Sequence, residues 1–406
     1  PTLLVRTNDV LIAWRDNRQG GADLWGHWLS LDGTPEAGPD LALREASDPS
    51  EDLFPRLASL DDGSFAISWM GGIGNRQRYF ARFFDADRTP LSASLILADP
   101  PIGSTVTGGV LFPRGDRWQH VWADDHTLTS SIYHQSHGRD GSTLDAARAA
   151  YRLPASASQV YPDVALFPDG GAIVTYGDLQ FGQLNIMARF LDASGAPTGE
   201  SFQVNDEPVG RGFDTADGIE ETLNNFGSSV AACSTGFVVT WAIDQEGGRL
   251  RLWGQLYDRQ GGRVGGNFSV LTVNAEGIPQ YDARPIMRRD GSFIITWRDN
   301  SGDDGGDIYC RNYSPEGLPL GGPINLADSA GGVRTRPQQL PAIGISPFDL
   351  VAVAWIDRRS GGWDIWSQLI LPDGQLSGAN VAQNAPDAIT IDQLNPTIAL
   401  GEDRIV

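Results

Sequence analysis

"AWRDNRQGGADLWGHWLSLDG", Ala13 to Gly33, and "AWIDRRSGGWDIWSQLILPDG", Ala354 to Gly374, spell nearly the same phrase at opposite ends of a 406-residue chain. Each is a short apolar run ending in Trp, then a polar loop, a second apolar run and a Gly turn. That order reads as two strands joined by a hairpin loop. Working outward, the first strand recurs as "VLIAW", "SFAISW", "WQHVW", "AIVTY", "FVVTW", "FIITW" and "VAVAW". Its marker aromatics are Trp14, Trp69, Trp122, Tyr176, Trp241, Trp297 and Trp355, spaced 53 to 65 residues apart. The second strand recurs as "LWGHWL", "YFARFF", "IYHQS", "IMARFL", "LWGQLY", "IYCRNY" and "IWSQLI". A last extended stretch follows each Gly turn, and a Pro-opened strand such as "PRLASL" or "PDVALF" precedes most markers.

Each unit is therefore four short strands with no helical periodicity between them. Such units repeated around a ring make a β-propeller, which leaves only short, protected sheet edges. The nearly continuous apolar strands agree, since a blade is covered on both faces by its neighbours. The expected fold is all-β: one propeller domain over residues 1–406, with seven blades, eight being the alternative. The tail "NPTIALGEDRIV" (395–406) resembles the start "PTLLVRTNDVLI". It either closes the ring or begins another unit. The Pro-opened strand, with Ala58, Ala165, Ala231 and Ala399, is expected to line the crowded axis.

The net charge of −21 argues against nucleic acid and anionic lipid as partners. No apolar run reaches the length of a membrane span. All 30 basic residues are arginine, and Asp far outnumbers Glu, which suits turns that Asp can cap. The start at Pro1 reads as a mature or excised segment. The two cysteines, Cys233 and Cys310, read as packing residues on strands.

The consensus W-x-D-x-R-x-G-G-x-D-(I/L)-(W/Y)-x-Q resembles repeats of secreted bacterial propeller proteins and is loosely similar to TolB-type propellers. The resemblance implies an extracellular, cell-surface or periplasmic setting, and it carries over no catalytic residue.

Four features are candidates for function. Asp16, Arg18 and Asp23, with Asp357, Arg359 and Asp364, form matching hairpin loops on blades that a closed ring makes neighbours. They are either turn chemistry, with Arg bracing the second Asp, or a polar rim for a protein or glycan partner. Asp299, Ser301, Asp303 and Asp307 alternate oxygen ligands in a Gly-rich loop, as Ca²⁺ requires, although the spacing is not that of an EF-hand. The third unit holds His120, His126, His134 and His137 beside Tyr133 and Arg139. If Trp122 lies opposite Ile132, then His120 faces His134, a pair suited to Zn²⁺ or acid–base work. One polar residue per unit (His27, Arg82, Gln135, Arg189, Gln255, Arg311, Gln368) either bonds neighbouring strands or lines a channel. The acidic insert 205–221 adds a long loop with no ligand signature. The leading expectation is a non-catalytic binding or surface-assembly protein that requires no cofactor. The alternative is a polysaccharide lyase or glycosidase using the histidine-rich blade.

Overall fold

The computed structural model describes residues 2–5, 9–16, 23–30, 36–39, 41–44, 51–73, 76–101, 103–125, 131–149, 158–180, 183–207, 209, 227–245, 249–271, 280–300, 306–327, 337–346, 348–359 and 361–382, a few strand residues by backbone alone. These form seven four-stranded antiparallel sheets, each built from consecutive strands in the order inner, second, third, outer. The blades span 2–42, 51–98, 106–149, 158–203, 229–269, 280–325 and 338–382. The architecture is the expected seven-bladed β-propeller. No helix among the described residues is long and apolar enough to cross a membrane. The tail 395–406 lies outside the described residues.

The core lies between blades. Phe65, Ile67 and Trp69 of blade 2 pack on Leu11, Leu24 and Trp28 of blade 1. Trp118 and Trp122 of blade 3 pack on Tyr79 and Phe83 of blade 2, and the scheme repeats to Trp355 of blade 7 against Ile294 and Ile308 of blade 6. Alternate residues of the same strands serve the other side: Ala66 and Met70 of blade 2 face blade 3. Strand alternation thus feeds two cores at once. Each marker aromatic from Trp69 to Trp355 enters the core shared with the preceding blade. The marker recurs because it is the wedge joining one blade to the last.

Marker aromatics also pair across the hairpin with a large residue: Trp14 with Trp25, Trp69 with Phe80, Trp241 with Trp253, Trp355 with Trp366. In blade 3 the partner of Trp122 is Tyr133, not Ile132. This one-residue difference corrects the expected facing of His120 and His134. His120 lies opposite Gln135, and His134 lies opposite Val121 on the other sheet face.

The seven polar residues of the third strands do not line a channel. Each faces the residue two before the marker, as in Ile67 opposite Arg82 and Val353 opposite Gln368. In blades 4 to 7 a bulge interrupts third-to-outer pairing at this residue. The side chain then donates to a carbonyl along the outer strand: Arg189 to Gly199 O (2.8 Å), Arg311 to Gly321 O (3.1 Å), Gln368 to Ser377 O (3.0 Å). The side chain thus takes the place of the ladder hydrogen bond that the bulge interrupts. Arg82 and Arg311 also reach back to carbonyls of the preceding blade, Leu43 and Val270.

Turn chemistry accounts for six of the aspartates. Asp62, Asp85, Asp140, Asp192, Asp258 and Asp373 each accept a backbone N–H two or four residues on, at 2.7–3.0 Å. Cys310 occupies a third strand and Cys233 lies just past an inner one; both are buried and free, and burial pushes the Cys310 thiol up to about 12.

Candidate functional site: the axial channel

The inner strands of blades 2 to 7 surround an axial cavity of about 500 Å³. Ala58, Ala165 and Ala231 line it, which agrees with the expected placing of the Pro-opened strand; Ala399 lies outside the described residues. In blades 2, 4, 6 and 7 the inner strand carries a bulge that sets two of its residues against one of the second strand. At its first residue the backbone turns left-handed without glycine: Phe54 (φ 53°), Tyr161 (φ 53°), Asp282 (φ 60°) and Leu340 (φ 54°). Bulky residues in this region cost roughly 1 kcal/mol or more each, and such strain persists where the surroundings enforce it. Four blades repeat it at the same level of the same cavity.

The bulge ends at Arg56, Asp163, Arg284 and Ala342, each opposite the residue before its marker aromatic. Ser229 holds this position in blade 5 and Val110 in blade 3. One level of the axis thus gathers two guanidiniums, a carboxylate and a hydroxyl from four blades. Asp163 Oδ2 accepts the Val230 N–H (3.1 Å) and the Ser229 hydroxyl (3.3 Å), while Asp163 Oδ1 meets Arg56 Nη1 at 3.4 Å. The last contact crosses from blade 2 to blade 4, and its length marks it as loose.

Arg284 forms no ion pair among the described residues. Its surface is open to the cavity, yet the surrounding ring removes most bulk solvent, and this desolvation, reinforced by Arg56, lowers its pKa against the pull of Asp163 and Asp282. Asp282 is buried; desolvation raises its pKa, opposed by Arg298, whose Nε lies 3.8 Å from Oδ2, and by Arg284. Arg298 itself lies over the Tyr281 ring at 4.3 Å. With Asp282 matched by Arg298, the channel level carries Arg56 and Arg284 against Asp163, one positive charge in excess.

The residues singled out in sequence lie elsewhere. His120 is fully buried, sandwiched between the rings of Tyr79 (4.5 Å) and Trp122 (4.6 Å), each within 17° of parallel. His137 is 6.1 Å away by ring centroids and also buried. No described residue hydrogen-bonds the His120 imidazole. Burial holds His120 well below the ordinary imidazole value, with His137 adding to the effect, and burial also lowers His137 and His134. Tyr133 stacks on Trp122, and Arg139 pairs with Asp62 of blade 2. His126 lies outside the described residues. The structure therefore brings His120 and His137 together but sends His134 and Arg139 away from them.

In blade 7, Asp357 is fully buried and accepts Trp355 Nε1 (3.2 Å), Arg359 N (2.8 Å), Arg359 Nε (2.9 Å) and Arg359 Nη2 (2.6 Å). Arg359 braces this first Asp, where the sequence suggested the second, Asp364; it also lies 4.0 Å over Trp366. Asp364 pairs with Asp357 across the hairpin, as Asp23 does with Asp16. Arg44, from beyond the outer strand, braces Asp23. The Asp16 side chain and Arg18 are outside the described residues. Asp299 faces Asp307; Gln280 donates to the first (3.4 Å) and Asn325 to the second (3.0 Å). Ser301 and Asp303 are outside the described residues, as are residues 208 and 210–221 of the acidic insert. Among the described residues no group of three or more His, Cys, Asp or Glu is placed to hold a metal ion.

Sequence reasoning missed Arg56, Asp163 and Arg284. The available signal was a charged residue in "FPRLA", "YPDVA" and "DARPI", on strands already expected to line the axis.

No family model matches the chain, and no curated protein matches it in sequence. Solved structures with a similar fold include a post-proline cleaving enzyme from Rickettsia typhi: TM-score 0.51, 11% identity, over 95% of this chain and 54% of that one. A protein of unknown function from Dyadobacter fermentans gives 0.47 and 10%, over 77% and 92% of the two chains. An α-L-arabinofuranosidase from Fusarium graminearum gives 0.46 and 11%, over 71% and 84%. This chain spans about half the length of the Rickettsia enzyme. At such identities the likeness concerns the fold alone.

Proposed function

We propose that this chain is a non-catalytic binding propeller, acting at the cell surface or in the periplasm, that receives part of a protein or glycan partner in its axial channel. The observation that carries the reading is the charged level of the channel: Arg56, Asp163 and Arg284, at the end of strained bulges, converge with Ser229 from four blades. Pockets of this size with a few convergent polar groups on an apolar lining are the usual form of a ligand site. The setting rests on the likeness of the W-x-D-x-R repeats to those of secreted propellers. The Asp357–Arg359 loop supports the reading only as scaffold, since its charges are spent on one another.

A second reading has one observation in its favour. Asp282 is a buried carboxyl group whose pKa is raised by desolvation and which lines the same cavity as Asp163, and glycoside hydrolysis uses two carboxyl groups held in different environments. It replaces the histidine-based version, because His120 and His137 have no open path to a substrate at 0% and 1% exposure.

The two readings separate in one experiment. The protein is applied to a glycan array and to a set of soluble oligosaccharides and peptides, with products followed by mass spectrometry. Retention without cleavage is the expected result. Turnover that disappears in Asp282→Asn would replace the binding reading with the hydrolytic one.

A further inference from the structure

Resting on the channel reading, we propose that the axial cavity selects an organic carboxylate: its anionic head meets Arg56, Arg284 and Ser229, and its body lies on the apolar lining. Such a head is the end of an acidic sugar, an aromatic acid or a chain terminus.

Three observations converge on this chemistry. First, Arg284 and Arg56 line the same cavity on the level of Asp163, and Arg284 has no ion pair of its own among the described residues. A guanidinium desolvated beside a like charge is stabilised by an arriving anion more than one already paired. Second, the Arg56–Asp163 contact is long and Arg56 is 40% exposed, so the guanidinium can turn to a ligand without breaking a strong bond. Third, the cavity adds Phe54, Leu57, Leu166 and Leu340, and Leu166 is 37% exposed inside it. That surface suits the carbon frame of an organic acid and gains nothing from an inorganic ion.

The overall charge of −21 does not oppose this at close range. At physiological ionic strength, charges more than about 8 Å away are largely screened, whereas contacts inside the cavity are not. The acidic surface acts on approach, and the excess guanidinium acts on binding.

The test uses D-galacturonate and benzoate as probes, with D-galactose and benzyl alcohol as their neutral counterparts and inorganic phosphate as an anion without a body. Calorimetric titration is run on wild type, Arg284→Gln, Arg56→Gln and Asp163→Asn, each first checked for an unchanged circular dichroism melt. The expected result is a carboxylate bound with Kd near or below about 1 mM and its neutral counterpart at least about tenfold weaker. Arg284→Gln and Arg56→Gln should each weaken the carboxylate by about tenfold or more. Asp163→Asn should tighten it severalfold, which a merely damaged fold would not do. Equal binding of the neutral counterparts would overturn the carboxylate assignment while leaving the channel as the binding site. Phosphate binding more tightly than either acid would overturn the assignment to an organic acid. Failure of both acids to bind would overturn the proposal; the channel reading would then stand or fall on whether a ligand found on the array still binds Arg284→Gln.

Discussion

Arg88 shows how single residues are chosen in this fold. It occupies a turn that glycine fills elsewhere: Gly141, Gly195, Gly261, Gly317 and Gly374 all take φ of 80–89°, and Arg88 takes 69°. Its guanidinium reaches blade 1, where it binds Asp9 (2.6 Å) and Glu36 (2.7 Å) and lies 4.1 Å over Trp28. The contacts offset the backbone strain. Arg88→Ala keeps the strain and loses the bridge, so it should destabilise by about 2 kcal/mol; Arg88→Gly relaxes the backbone and should cost about 1 kcal/mol less. Urea denaturation of the three proteins gives the order, and a glycine variant more stable than wild type would show that strain outweighs the bridge.

His120 makes a pH-dependent prediction at the same scale. Above about pH 6.5 the imidazole is neutral in both folded and unfolded chains, and nothing is at stake. Below it the unfolded chain takes up protons that the aromatic sandwich refuses, so this histidine removes up to about 1.4 kcal/mol of stability per pH unit. Asp178, raised to about 6 by burial, acts in the opposite sense between about pH 6 and 4, so total stability alone does not isolate the effect. The difference between wild type and His120→Phe does. Phe preserves the stack, and the variant should gain on wild type as the pH falls from 7 to 5. A constant difference would mean that His120 protonates freely in the folded protein.

At the scale of the element, the marker aromatic is the unit of blade-to-blade attachment. Trp297 is fully buried between blades 5 and 6, and Trp297→Ala should cost about 3–5 kcal/mol, read from the urea midpoint. A loss under about 1 kcal/mol would deny it the role of wedge. These markers were legible in sequence because one packing demand recurs at one place in every blade. The hairpin register was less so. Aligning the siblings put Trp122 one residue off, and a one-residue slip exchanges the two faces of a strand. The deciding signal was present: Trp14 with Trp25 and Trp355 with Trp366 are cross-strand aromatic pairs, and Tyr133 is their counterpart for Trp122. The inner-strand bulges left no comparable mark. Phe54, Tyr161, Asp282 and Leu340 share a conformation and no side-chain chemistry, so the step that sets Arg56, Asp163 and Arg284 on one level was invisible.

At the scale of the molecule, the channel level exists only when the ring is assembled. Its charges are far apart in the chain: Arg56 and Asp163 are 107 residues distant and meet only because blades 2 and 4 converge on the axis. Repetition made the architecture readable from any one unit, whereas the site is made of departures from the repeat and belongs to no unit. The Arg56–Asp163 contact could be a staple across the axis or a pair kept apart for a ligand, and stability distinguishes these. A partly exposed ion pair at 3.4 Å contributes little, on the order of 0.2–1 kcal/mol. A double-mutant cycle with Arg56→Gln and Asp163→Asn, measured by urea denaturation, should therefore give a coupling within that range. A coupling above about 2 kcal/mol would make the pair a structural clamp and remove Arg56 from the set of groups free to meet a ligand.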